Sequence, residues 1–316
     1  MKYLVTGGAG FIGSHIVDKL ISQGEKVRVF DNFSTGKKLF VQHHLNNKNF
    51  ELIKSDLANY RQLKKAMKGI DFVFHLAAHA DVRLGIKDHL IDHQQNLEMT
   101  QNVLEAMIKN KISKIAFAST SSVYGDAKVH PTPEDYPLAP TSLYGATKAA
   151  CESYISAYSN YYNLQCYIFR FVSFLGPRYT HGIIFDVLKK LQSNLKEIEL
   201  FSDGSPKKSS LGVADGIEAI FKIIEKSKER MNVYNIGHTD ISTVSEIVDA
   251  ILQMSGYSKV KKVWLGKKSN WKGDNEFVQL SIKKIKRLGW KPKKTIKNAI
   301  FETVKFLREN PQLLNA

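Results

Sequence analysis

Six short runs rich in β-branched and aromatic residues, each followed by a longer helical pattern, occupy the first 171 of 316 residues. The runs are 2–6, 26–31, 50–55, 72–76, 114–119 and 165–171, and the helical stretches between them include 13–23, 60–67, 96–110 and 143–162. Strands that alternate with helices imply crossover connections, and hence a parallel sheet covered on both faces. The expected class is therefore α/β, a doubly wound parallel sheet. Such sheets place ligands at the carboxyl ends of their strands, near the point where strand order reverses. The residues just after each strand are the ones to read for chemistry.

The pattern changes after Phe171. Gly176-Pro177 precedes a helix near 183–192, and Ser202-Asp203-Gly204-Ser205-Pro206 reads as a turn. Residues 216–228 look helical, 232–236 look like a last strand, and a final helix lies near 296–309. Thr243-Val244-Ser245-Glu246 has the spacing of a capping box, which predicts a helix starting there. The expected division is a first domain of residues 1–172 to which 212–236 return, with 173–211 and 237–316 as a smaller substrate-binding lid.

Thr6-Gly7-Gly8-Ala9-Gly10-Phe11-Ile12-Gly13 ends the first strand and opens the first helix. Glycines at 7, 10 and 13 permit a tight turn, close approach of a pyrophosphate and close helix–sheet packing. The helix N-terminus adds unpaired N–H groups and the positive end of its dipole. A glycine trio alone is weak evidence, but here an acid ends the second strand. Asp31 stands eighteen residues beyond Gly13. Its carboxylate can accept from both ribose hydroxyls of an adenosine and would repel a 2′-phosphate. The following Asn32-Phe33-Ser34-Thr35-Gly36 holds no arginine to neutralise such a phosphate. NAD is expected rather than NADP. The bland alternative is an aspartate that merely ends a strand.

Tyr-x-x-x-Lys places a phenol and an ammonium one turn apart on one helix face. The ammonium is expected to lower the phenol pKa from about 10, so that a phenolate can take a carbinol proton while hydride leaves the same carbon. Four pairs fit: Tyr60/Lys64, Tyr124/Lys128, Tyr144/Lys148 and Tyr257/Lys261. Gly125-Asp126 breaks the helical face after Tyr124, Tyr60 lies in the helix before the fourth strand, and Tyr257 follows Ser255-Gly256. Only Tyr144 opens a long helix just after a strand ending in hydroxyls, Ser119-Thr120-Ser121-Ser122. A hydroxyl there can hydrogen-bond the substrate oxygen as it becomes a carbonyl.

The remaining composition bounds the setting. The net charge is +16, and residues 259–297 hold fourteen Lys or Arg against Asp274 and Glu276. Clustered lysines can serve nucleic acid. No nucleic-acid motif accompanies them, so a solvated face is the expectation, and such a field would also draw an anionic small substrate. Cys151 and Cys166 have no metal-ligand spacing and are expected to be reduced. The apolar run at the N-terminus is short for a signal-peptide core, and no stretch approaches the roughly 18 apolar residues of a membrane span. A cytoplasmic protein without a membrane or nucleic-acid partner is expected.

The glycine motif, Asp31-Asn32, Asp56-Leu57, His75-Leu76-Ala77-Ala78, Ser119-Thr120-Ser121-Ser122-Val123-Tyr124-Gly125 and Tyr144-Gly145-Ala146-Thr147-Lys148 occur in one order. In that order they resemble the extended short-chain dehydrogenases/reductases acting on nucleotide sugars, especially the UDP-galactose 4-epimerases. The resemblance runs nearly end to end, through Gly176-Pro177-Arg178 and Leu288-Gly289-Trp290. It implies a Rossmann domain holding NAD, with Asp56 and Leu57 near adenine and Leu76, Ala77 and Ala78 along the cofactor. It implies Thr120, Tyr144 and Lys148 as hydroxyl, base and helper, a nucleoside-diphosphate sugar as partner, and a homodimer or higher homo-oligomer.

The related 4,6-dehydratases carry an Asp-Glu pair directly after the threonine, where this chain has Ser121-Ser122. Serines cannot do that acid–base work. Three positions depart from the epimerases: Lys207 replaces an arginine that grips the diphosphate, Ser173 replaces an asparagine, and Trp271-Lys272 replaces an arginine-proline. The expected activity is oxidation at C4 by a 4-epimerase of the UDP-sugar type. The alternatives are a net 4-dehydrogenase of a nucleotide-linked hexose or heptose, for example GDP-linked, and a non-enzymatic dinucleotide or nucleic-acid binder. His79 and Arg83, after the fourth strand, and Arg178 and His181, after Gly-Pro, are further candidates for touching sugar or phosphate. His89 and His93 with Asp88 and Asp92 have the spacing of a metal face, but a solvated helix face is expected and no metal.

Overall fold

The computed structural model describes residues 1–266 and 275–314; Trp271 and Lys272 lie outside them. Seven parallel strands form one sheet. In chain order they are β1 (Lys2–Thr6), β2 (Lys26–Asp31), β3 (Phe50–Lys54), β4 (Phe72–His75), β5 (Lys114–Thr120), β6 (Gln165–Phe171) and a last strand, Met231–Ile236. Their spatial order is last-β6-β5-β4-β1-β2-β3, so strand order reverses between β1 and β4. Thr6 pairs with Phe30 on one side and His75 on the other, which sets three strand ends level.

Helices α1 (Phe11–Ser22), α2 (Tyr60–Ala66), α3 (Met99–Lys109) and α4 (Leu143–Tyr162) cover the sheet, as the alternating pattern requires. Val5, Val29 and Phe74 face α1 and the helix Val213–Lys226, while Leu4, Phe30 and Ile115 face α2 and α3. Phe117 and Phe169 are core residues. Ser142 caps α4 through Gly145 N–H, and α4 closes on Asn163 in the left-handed conformation. Thr243 and Glu246 make the expected reciprocal capping box of the helix Val244–Ser255.

A separate apolar cluster joins the helices Ile183–Ser193, Val244–Ser255 and Ile296–Glu309. Leu280, Ile282, Ile285 and Trp290 pack instead with the large sheet. Very short strands tie this part together: Ser173–Leu175 with Ser210–Gly212, Glu197–Leu200 with Lys261–Trp264, and Lys207–Lys208 with Ser242–Thr243 and Phe277–Val278. Pairs this short leave no alternation to read in the sequence.

One helix start and one surface assignment differ from expectation. The helix expected at 96–110 is α-helical only from Met99, because a π-helical turn, His93–Glu98, precedes it. Asp92 at the start of that turn is fully buried, so it does not belong to a solvated face. The lysine-rich segment is laced to acids: Lys261 to Glu197, Lys262 to Asp249, Lys293 to Glu218 and Lys294 to Glu302. Both cysteines are free and buried. Among the described residues no helix is long and apolar enough to cross a membrane.

Candidate active site

A cavity of about 1180 Å³ opens over the carboxyl ends of the strands, at the reversal of strand order. One wall is the glycine loop. Gly7 has φ +68°, and a Cβ there would lie 2.7 Å from Ala77 N. A Cβ on Gly13 would lie 2.1 Å from Gly7 O, so the turn closes only without side chains. Gly7, Gly10, Phe11, Ile12 and Gly13 all line the cavity.

Asp31 continues this wall. Its Oδ1 accepts from Phe33 N at 2.8 Å and its Oδ2 from Ala9 N at 2.9 Å. Burial raises its pKa, and these two N–H bonds work against the rise. Asn32 Nδ2 donates to Asp56 Oδ2 at 2.7 Å, and Ser34 N donates to Asn32 Oδ1 at 2.9 Å. Ser34, Thr35, Gly36, Asp56 and Leu57 complete this end, and Leu76, Ala77 and Ala78 line the middle.

At the β5 edge stand Thr120, Ser121, Ser122 and Tyr144. Thr120 Oγ1 accepts from Ser122 N at 3.1 Å, which turns the chain as it leaves the strand. Burial pushes the Tyr144 phenol up to about 12; its hydrogen bond with Thr120 works against this, and the charge of Asp92 adds to it. Lys148 lies buried beneath the cavity. Its Nζ donates to Ala118 O at 2.8 Å and sits 4.6 Å from the centre of the Phe117 ring. Burial pulls its pKa down to about 8, against Cys151, Glu152 and Asp92. The expectation that the ammonium lowers the phenol pKa is therefore corrected: burial governs the phenol and raises it.

The rival tyrosines are placed elsewhere. Tyr124 is buried, donates to Asn235 Oδ1 at 2.8 Å and accepts from Arg170 Nη1 at 2.7 Å. Tyr60 and Tyr257 are outside the cavity wall.

The remaining candidates divide. His79, Arg83, Ser173 and His181 line the cavity. Arg83 is held by Asp81 at 2.9 Å and lies 3.7 Å from Asp186. His181 stacks on Tyr179, and burial lowers its pKa. Arg178 does not reach the wall: its Nη1 is 2.7 Å from Asp18 Oδ2 on α1. Lys207 is exposed and turned away, whereas Lys208 lines the cavity and donates to Asn275 O. Neighbours on a strand point to opposite sides, so a one-residue difference decides which lysine faces inward. No local signal marked Lys208, Phe185 or Trp264 as wall residues, because remote segments bring them in.

Among the described residues no grouping of three ligands includes His89 or His93, and His93 pairs with Glu98. Among the described residues, Asp18, His43 and His44 form a possible metal-ligand grouping, outside the cavity wall. Both imidazoles already bond one Asp18 oxygen, at 2.9 and 2.7 Å, and Arg178 takes the other.

Removing hydride from a carbinol requires a dinucleotide along the strand ends and a proton acceptor beside it, and this cavity has room for both. A doubly wound sheet with that site defines an extended short-chain dehydrogenase/reductase. The chain belongs to the NAD dependent epimerase/dehydratase family, whose model matches residues 3–237. It is 33% identical to a putative UDP-glucose 4-epimerase of Methanocaldococcus jannaschii, over 97% of this chain and 98% of that protein. Its fold matches a crystal structure of a UDP-galactose 4-epimerase with a TM-score of 0.88 at 36% identity, covering 98% of this chain and 99% of the other. It also matches UDP-glucuronic acid 4-epimerase from Bacillus cereus, solved with UDP-glucuronic acid and NAD, with a TM-score of 0.90 at 30% identity, covering 98% and 100%. The protein is an NAD-dependent enzyme of epimerase/dehydratase type. The side-chain-free cradle at Gly7, Gly10 and Gly13 fits a pyrophosphate, and Asp31 fits an adenosine ribose.

Proposed function

We propose that the protein is a 4-epimerase of a UDP-linked sugar, working through Tyr144, Thr120 and Lys148. Bound NAD supplies the hydride acceptor and later the hydride donor. Tyr144 takes the proton of the C4 hydroxyl, Thr120 hydrogen-bonds the same oxygen, and the Lys148 ammonium favours the phenolate. The carbonyl formed at C4 then presents its other face, and Tyr144 returns the proton. Residues 1–172 with 212–236 carry the cofactor, joined by Leu280, Ile282, Ile285 and Trp290, which pack on the same sheet, while the segments 173–211, 237–266 and 296–314 form the lid over the sugar. The exposed Tyr154, Tyr161 and Tyr162 of α4 offer a face for a second copy of the chain.

The observation that carries this reading is the β5 edge itself. Ser121 and Ser122 line the cavity beside Tyr144, where removal of water would require carboxylic acids. Among the described wall residues the carboxylates are Asp31, Asp56, Asp81 and Asp186, all from other walls. The test is incubation with UDP-, dTDP- and GDP-linked hexoses, with and without 2-oxoglutarate. Many turnovers to a C4 epimer without an acceptor are expected. A 4-keto product whose amount tracks the acceptor would replace the epimerase by a dehydrogenase.

Two outcomes follow for binding. Asp31→Ala is expected to weaken NAD by roughly tenfold or more, the value of a charged hydrogen bond, and to narrow the preference over NADP. Titration of both cofactors checks it, and an unchanged affinity ratio would leave Asp31 only a structural role. Lys208→Ala is expected to raise KM for the nucleotide sugar about tenfold with little change in kcat, whereas Lys207→Ala changes neither. Equal effects at both positions would mean that neither meets the diphosphate.

A further inference from the structure

Three side chains outside the cavity wall converge on one point. Asp18 stands on α1, and His43 and His44 end the short turn Gln42–His44, which follows the wall segment 31–36. His43 Nε2 and His44 Nε2 both donate to Asp18 Oδ1, at 2.9 and 2.7 Å, and the three ligand atoms all lie within 4.8 Å of one another. The two rings are drawn to 4.0 Å centre to centre, and the His44 ring rests against Phe50 at 5.6 Å. Arg178 already neutralises this carboxylate, with its Nη1 2.7 Å from Oδ2. Neutralising Asp18 therefore does not account for two imidazoles on its other oxygen.

Two imidazole nitrogens and one carboxylate oxygen are the donor set of a first-row transition cation such as Zn²⁺, whereas Ca²⁺ and Mg²⁺ require oxygens. Tetrahedral bonds of about 2.0–2.1 Å set ligand atoms roughly 3.3 Å apart, so each imidazole has to open by about half an ångström. His43 is half-exposed and can give that distance, while His44 is mostly buried and held against Phe50. On binding, each Nε2 loses its proton, to Nδ1 of the same ring or to solvent, and presents a lone pair. Arg178 stays on Oδ2, supplying the outer hydrogen bond that orients a ligating carboxylate. Exposure on the His43 side leaves a fourth position open to water. His15, one turn earlier on α1, is not a ligand, because its Nε2 donates to Pro177 O at 3.0 Å.

We infer that Asp18, His43 and His44 form a binding site for a divalent transition-metal ion, Zn²⁺ by its donor set. The ion ties α1, which opens at the glycine cradle, to the chain that leaves the 31–36 wall. Its ligands lie outside the cavity wall, so it acts on stability and takes no part in turnover. The site is independent of which sugar is bound and of which residue is the base.

The test uses the full chain without a histidine tag, stripped of metal with a chelator. Calorimetric titration with Zn²⁺ is expected to show one saturable site with a Kd of roughly 1 μM. Co²⁺ should take the same site and show the strong visible absorption of a four-coordinate ion, which the aqueous ion lacks. Asp18→Asn, His43→Gln and His44→Gln should each weaken Zn²⁺ at least tenfold, whereas His89→Gln with His93→Gln should change nothing. Zn²⁺ at a hundredfold excess over Kd should raise the melting temperature by roughly 5 °C, a rise that His43→Gln lacks. No saturable binding below about 1 mM, or an unchanged Kd in the three single variants, would overturn the site. If Asp18→Asn does not fold once Arg178 loses its partner, the half-exposed His43 still decides, because an unmoved Kd in His43→Gln refutes the three-ligand set.

Discussion

Replacing Tyr144 by phenylalanine is expected to lower turnover by a factor of about 10³–10⁴ while leaving NAD affinity within about twofold. General base catalysis by a positioned side chain contributes on that scale, and the substitution removes only one hydroxyl. The ring remains in the cavity wall, and the glycine cradle and Asp31 are untouched. Tyr60→Phe, Tyr124→Phe and Tyr257→Phe should keep most activity, since those phenols lie outside the large cavity. Steady-state rates with calorimetric NAD titrations check the set. Near-normal turnover by Tyr144→Phe would move the base elsewhere.

The largest stability effect is expected beneath the site. Arg170 on β6 donates to Glu152 on α4 through Nε at 3.0 Å and Nη2 at 2.7 Å, with both side chains buried. Its Nη1 reaches Tyr124 OH at 2.7 Å and Glu134 O at 2.8 Å, and Tyr124 passes the chain to Asn235 on the last strand. Glu152 also accepts from Ser119, next to Thr120. Glu152→Ala leaves the Arg170 charge buried without its carboxylate, a loss of about 3–5 kcal/mol. Thermal unfolding without ligand should show a drop of roughly 10 °C. The double variant Glu152→Met with Arg170→Met should lose less than Glu152→Ala, because neither charge is then stranded. A larger loss in the double variant would show that the pair is worth more than its packing.

Local pattern carried most of the fold. Strands 2–6, 26–31 and 165–171 and the helices at 143–162 and 296–309 coincide with their expected limits, because each shows its apolar period without help from distant contacts. The capping box at Thr243 was legible for the same reason: both partners lie within four residues. The glycine loop and Asp31 were readable because one turn and two neighbouring strands build that wall.

Tertiary structure decided what depends on segments far apart in sequence. Lys208 rather than Lys207 faces the cavity because pairing with 242–243 and 277–278 sets the strand's rotation. Arg178 is drawn from the wall by Asp18, 160 residues earlier, a pairing that no spacing reveals. Asp92 and His79 read as separate polar residues on a loop and a solvated face, until a π-helical turn buries one against the other. The sheet, the glycine turn with Asp31 beside it, and the helix carrying Tyr144 and Lys148 were legible because each is written in residues a turn or a strand apart. Which charges are paired, buried or left facing the cavity was decided only by packing, because burial and counter-charge come from whatever the fold brings alongside.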